Sequence, residues 1–141
     1  MEFKINYSEL KELIDEVKVT DYSQFEYLGL TFTIITHRRT KQDVNDAPVW
    51  WSSGSTVGDF DIYLATNVVK RKFRRPVIFH EALEAVLDRE LAKDLGLEIS
   101  KHVAHNIATA YDEKYAKEVL DDINFGEYLK FKGVLSGFFG S

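Results

Sequence analysis

Between Pro76 and Leu95, the residues Phe79, Ala82, Leu83 and Val86 recur at helical spacing, and Leu87 and Leu91 widen the apolar stripe. A helix over 76–95 is therefore predicted. Pro76 suits its first turn, where a missing N–H has no intrahelical partner, and Gly96 suits its stop. His80 and Glu84 stand four apart at the margin of the stripe and point to the same side. Two ionisable groups at the edge of a buried face need a partner or a cation. With Glu81 they spell H-E-x-x-E, a spacing in which the residue after the first ligand can act as base toward a metal-activated water.

A second helix over 101–120 is predicted, with Ser100 as its N-cap. Its packing face is Ala104, Ile107, Ala108, Tyr111 and Tyr115, and the two alanines leave room for a close helix approach. His105 and Asp112 share one flank of that face. The candidate metal ligands are thus His80, Glu84, His105 and Asp112, with Glu81 as the candidate catalytic base. The chain has no cysteine, so any metal must be held by imidazole and carboxylate. Zinc is the first expectation for such a set, and manganese or iron would also suit its carboxylates. Each residue also has an ordinary structural reading: Glu84 paired with an arginine, His80 as a hydrogen-bonded core histidine, Asp112 paired with a lysine. Convergence on two neighbouring helices is what favours a shared site.

One constraint follows from the predicted helix ends. A strictly antiparallel hairpin turning about Glu98 puts Asp112 level with Glu84, but leaves His105 about 10 Å away along the axis at about 1.5 Å per residue. On that geometry a steep crossing or a looser connection through 96–100 is required for His105 to join the site.

The run His80-Glu81-x-x-Glu84 followed by Ala104-His105-x-x-Ala108-x-x-x-Asp112 resembles the H-E-x-x-E … A-H-x-x-A-x-x-x-[E/D] pattern of small, phage- or mobile-element-associated, zincin-like metallopeptidases. The resemblance covers Val77 to Asp112. It implies that His80, Glu84 and His105 ligate a metal, that Asp112 is a ligand or supports one, and that Glu81 is the general base. It also implies a peptide or protein substrate. Two departures stand out: Glu84 replaces the second histidine of familiar zinc peptidases, and His105 lies further from His80 than the pattern usually has it.

Elsewhere, Phe3, Ile5 and Tyr7 suggest a short opening strand, and Ser8 can cap a helix carrying Leu10, Leu13, Ile14 and Val17. Residues 26–36 alternate as one strand with a buried face, and 37–45 read as a turn. Val49-Trp50-Trp51 is a short β-type run, and 52–58 read as a loop. Residues 59–66 form another alternating strand, a candidate cleft edge for an extended peptide, with Trp50 and Trp51 as sheet-face or pocket aromatics. A short tail helix over 127–135 completes the expectation. The whole reads as an α+β fold in which a small twisted β-sheet packs against the H-E-x-x-E helix and a second helix.

At 141 residues and 45% apolar, the chain is long enough for one domain with one core. The start of the chain lacks the build of a signal peptide and no apolar run approaches a membrane span, so a cytoplasmic protein is expected, with no membrane partner. The net charge of −5 hides basic clusters at Lys70 to Arg75 and Arg38 to Lys41. They raise an alternative to hydrolysis, a non-catalytic interaction protein that meets nucleic acid or an acidic partner, although solvated surface is the simpler reading.

Overall fold

The computed structural model describes residues 5–40 and 47–139. In chain order its elements are α1 (Tyr7–Glu16), β1 (Gln24–Tyr27), β2 (Leu30–His37), β3 (Val49–Ser53), β4 (Asp59–Ala65), α2 (Arg71–Leu95), α3 (Leu97–Val119) and α4 (Asp122–Phe139). The fold is α+β, with a mixed four-stranded sheet in the order β1-β2-β4-β3. β2 and β4 run parallel, while β1 and β3 pair antiparallel to them. β4 is therefore internal, and among the described residues the strand beside the site that lies on an edge is β3, not the 59–66 segment the sequence suggested.

Alternation gives the sheet one apolar face, built from Phe25, Phe32, Ile34, Phe60, Ile62 and Leu64. The stretch expected as a single strand over 26–36 is a hairpin. Leu28 and Gly29 both take positive φ, 54° and 77°, the conformation a two-residue turn between twisted strands demands. Leucine is an unusual occupant of that position, which is why the pattern did not read as a turn.

The opening of the chain also differs from expectation. Asn6 caps α1, its side chain accepting the Glu9 N–H at 3.1 Å, so Tyr7 is helical and not part of a strand. Phe3 and residues 41–46 lie outside the described residues. Leu10 and Ile14 dock α1 on the core.

α2 starts five residues before Pro76, so the proline sits inside the helix. Tertiary anchors hold the extra turn: Phe73 is buried and stacks on Phe131 with ring centroids 5.4 Å apart. Arg74 donates to the carbonyls of Thr66 and Val69, at 2.9 and 3.1 Å, and Arg75 to those of Ile14 and Val17 where α1 ends. Lys72 pairs with Glu127 and Asn124 of α4. Much of the basic cluster expected at the surface is thus engaged within the fold.

α2 is the central element, buried almost without interruption from Pro76 to Asp88. Phe79 is fully buried, stacked on Tyr115 at 4.9 Å with Tyr7 at 5.7 Å, and a side chain of this kind contributes about 1.5–3 kcal/mol on burial. Ala104 and Ala108 of α3 are fully buried, as a close approach to α2 requires. No helix among the described residues is long and apolar enough to cross a membrane.

Between α2 and α3 there is one residue, Gly96, at φ 82° and ψ 163°. That region is open essentially to glycine alone. α3 begins at Leu97, so Ser100 is not a cap: it is buried in the first turns of α3 and donates to Asp88 at 2.7 Å. The helical tail is longer than expected, running from Asp122 to Phe139 and docking through Tyr128 and Leu135.

Candidate metal centre

The tight turn at Gly96 moves the hairpin's pivot toward the N-terminus of the chain and removes the mismatch expected for His105. Three polar pairs cross the α2–α3 interface in antiparallel order: Asp88 with Ser100, Glu84 with His105, and His80 with Asp112. No steep crossing or loose connection is needed.

His80 lies at the core end of this seam and is 6% exposed. Its Nε2 meets Glu84 Oε2 at 2.9 Å, and its Nδ1 meets Asp112 Oδ2 at 2.5 Å. His105 Nδ1 reaches the same Glu84 oxygen at 2.9 Å, and the two imidazole rings meet edge to face with centroids 5.0 Å apart. The other Glu84 oxygen accepts the indole N–H of Trp51 at 3.0 Å. Period-two alternation of β3 divides the tandem tryptophans: Trp51 turns inward to Glu84, while Trp50 stacks on Tyr63 at 4.0 Å.

One ligand atom from each of His80, Glu84 and His105 lies within 4.8 Å of the others. A tetrahedral zinc with bonds of about 2.0–2.1 Å separates its ligand atoms by roughly 3.4 Å. The two 2.9 Å contacts therefore need to open by only a few tenths of an ångström. The second atom of two ligands is already held: Asp112 ties down Nδ1 of His80, and Trp51 ties down Oε1 of Glu84. The donor set fits a divalent cation with two nitrogens and one oxygen, leaving a fourth position for substrate or water.

Asp112 is not one of the converging three. It is fully buried behind His80, and it also accepts hydrogen bonds from the Tyr128 hydroxyl at 2.8 Å and Lys132 Nζ at 2.5 Å. A carboxylate on the far nitrogen of a ligating histidine fixes its tautomer and raises its basicity.

Charge follows this geometry. Burial alone would lower the His80 pKa, but hydrogen bonds to Asp112 and Glu84 outweigh it and hold the imidazole up to about 9. Burial likewise opposes ionisation of Glu84, and the bonds from His105, His80 and Trp51 overcome it, holding this carboxyl far below its usual range. Glu81 has the opposite fate. It is 3% exposed, accepts no hydrogen bond among the described residues, and burial pushes it up to about 8.

Two cavities flank the centre, and Glu81 lines both. One of about 340 Å³ lies toward Trp50, Trp51, Glu84 and Lys101. The other, of about 250 Å³, lies toward α4 and includes His80 and His105 in its wall.

No family model matches the chain, and no curated protein or solved structure matches it either.

Sequence reasoning offered Trp51 only as a sheet-face or pocket aromatic, and did not single out Tyr128 and Lys132 as members of this site. Tyr128 and Lys132 are four apart on α4 and so share a face, a spacing that pointed to a common partner.

Proposed function

We propose that the protein is a metal-dependent hydrolase, zinc-dependent in the first instance, that cleaves peptide bonds. One observation carries the reading: His80, Glu84 and His105 converge beside a buried, unpartnered Glu81 that opens onto two cavities. A bound divalent cation would polarise the substrate carbonyl and make water more acidic. His80, Glu84 and His105 would hold it.

Glu81 supplies the proton chemistry. As the hydroxyl of the attacking water bonds to the acyl carbon, Glu81 takes the released proton, and it delivers that proton to the amine nitrogen as the C–N bond breaks. Water is consumed, and a carboxylic acid and an amine result. Burial holds this carboxyl up to about 8 in the metal-free protein, and a dication beside it would draw it back toward the ionised form that can take a proton and return it. An extended substrate fits the geometry because β3 is an edge strand beside Glu84, where a peptide can add to the sheet through its backbone. The basic-cluster alternative is weakened at Lys70 to Arg75 alone, where Lys72, Arg74 and Arg75 are engaged within the fold.

The decisive variant is Glu81→Gln, which keeps size and loses the proton acceptor. Loaded with zinc, it is expected to bind one metal ion and melt like the parent while peptide cleavage is abolished. Persistent cleavage removes Glu81 as the base, and a zinc-loaded parent inert toward a broad peptide library ends the peptidase reading.

A further inference from the structure

The 250 Å³ cavity on the α4 side has a chemistry of its own. Val49, Val77, Leu129 and Leu135 give it apolar walls, and Thr109 and Glu113 of α3 add polar atoms. The Thr109 hydroxyl is buried without a hydrogen-bond partner, and a native orphan of this kind calls for an explanation. Apart from the centre's own His80, Glu81 and His105, two side chains of opposite charge line the space. Lys132 is committed, its ammonium bound to Asp112 at 2.5 Å. Glu113 is half-buried and forms neither a hydrogen bond nor an ion pair among the described residues. The side-chain charge left without a partner is therefore the negative one of Glu113, and His105, Thr109 and Glu113 follow at four-residue spacing along α3, which sets Glu113 about two turns from the metal centre.

We propose that this cavity is the specificity pocket for a substrate residue adjoining the scissile bond, and that it selects lysine or arginine, with Glu113 binding the cationic head. The inference rests on the peptidase reading of the metal centre. The methylene stem of either side chain covers apolar wall while its head reaches a polar end, the habit of long basic side chains at such boundaries. A charge-assisted bond to Glu113 satisfies a carboxylate that otherwise stands partly desolvated and alone. An acidic side chain meets like charge, and a purely aliphatic one leaves Glu113 and Thr109 without partners. Glu113 is thus a specificity-determining residue outside the reacting atoms.

The test separates binding from turnover. Blocked hexapeptides identical except for one lysine, arginine, norleucine or glutamate are titrated into zinc-loaded Glu81→Gln, with tryptophan fluorescence and calorimetry as readouts. Lysine and arginine peptides are expected to bind about tenfold more tightly than norleucine, the isostere without charge. A further Glu113→Gln change should erase that gain, and Glu113→Lys should transfer the preference to glutamate, so the two variants report independently if one melts early. Equal binding of lysine and norleucine, a basic preference that survives Glu113→Gln, or no binding of any peptide overturns the assignment. Selective binding of basic peptides by a parent that cleaves none of them supports the pocket and sinks the peptidase reading. Cleavage indifferent to the basic residue does the reverse.

Discussion

Asp112 and His80, on different helices, are joined by a 2.5 Å hydrogen bond, and Asp112 is fully buried. The bond consumes the ring nitrogen that faces away from Glu84, so the nitrogen facing Glu84 and His105 is the one left to coordinate. Three donors converge on this one carboxylate, from His80, Tyr128 and Lys132, which is how a buried charge is tolerated.

Asp112→Asn should therefore weaken zinc binding without removing a ligand. A loss of about 10–100-fold in affinity is expected, measured by competition with a chromophoric chelator. Unchanged affinity would mean that Asp112 serves only the fold.

Metal removal should be visible in stability. Free zinc at about a hundred times its dissociation constant adds about 2.7 kcal/mol to the folded state, and chelation should withdraw it. Thermal melts with and without EDTA check this in the parent, and His105→Ala should melt alike in both conditions. A parent whose melting point ignores zinc contradicts the donor geometry.

The metal-free protein should lose stability as pH rises from about 4.5, where Glu81 begins to count, to about 9, where His80 has lost its proton. His80 has a folded pKa raised to about 9, so its contribution is full below the unfolded value of about 6.5 and disappears through 9. Glu81 acts in the same direction, because a carboxyl raised to about 8 by burial resists the ionisation that the unfolded chain undergoes near its ordinary value. Zinc must displace the His80 proton, so proton release on binding should be larger at pH 7 than at pH 9.5. Calorimetry in buffers of different ionisation enthalpy measures it, and a pH-independent proton count would refute the linkage.

Gly96→Ala isolates the helix link. A Cβ there meets nothing within 4 Å, so the cost is backbone strain at φ 82°, about 1–3 kcal/mol. Denaturant unfolding should show that loss, and zinc affinity should fall with it if the link sets the alignment of the ligands. A neutral substitution would show that the connection tolerates another path.

The sequence carried the chemistry of this site better than its spacing. His80 and Glu84 were legible because both sit on one helix, where a difference of four fixes their relation. The meeting of His105 with Glu84 was not, because it depends on where α3 begins. Ser100 has the chemistry of a cap and misplaced that start, since a serine can satisfy a buried aspartate as readily as a helix end. Leu28 hid the β1–β2 turn for a similar reason: a residue rarely seen at positive φ left the alternation looking continuous. The spacing of Tyr128 and Lys132 put them on one face but did not name their target, because Asp112 is reached only through the docking of α4.

The single-glycine link works as a phase setting between two helices. Each residue of an α-helix advances about 100°, so one residue inserted or deleted beside Gly96 would turn α3 out of phase with α2 along its whole length. Asp88 would lose Ser100, Glu84 would lose His105, and His80 would lose Asp112, all by the same change. The centre is therefore gained or lost as a unit. Tolerance of length changes should be sought in the β3–β4 loop at 54–58, and the helix link should refuse them.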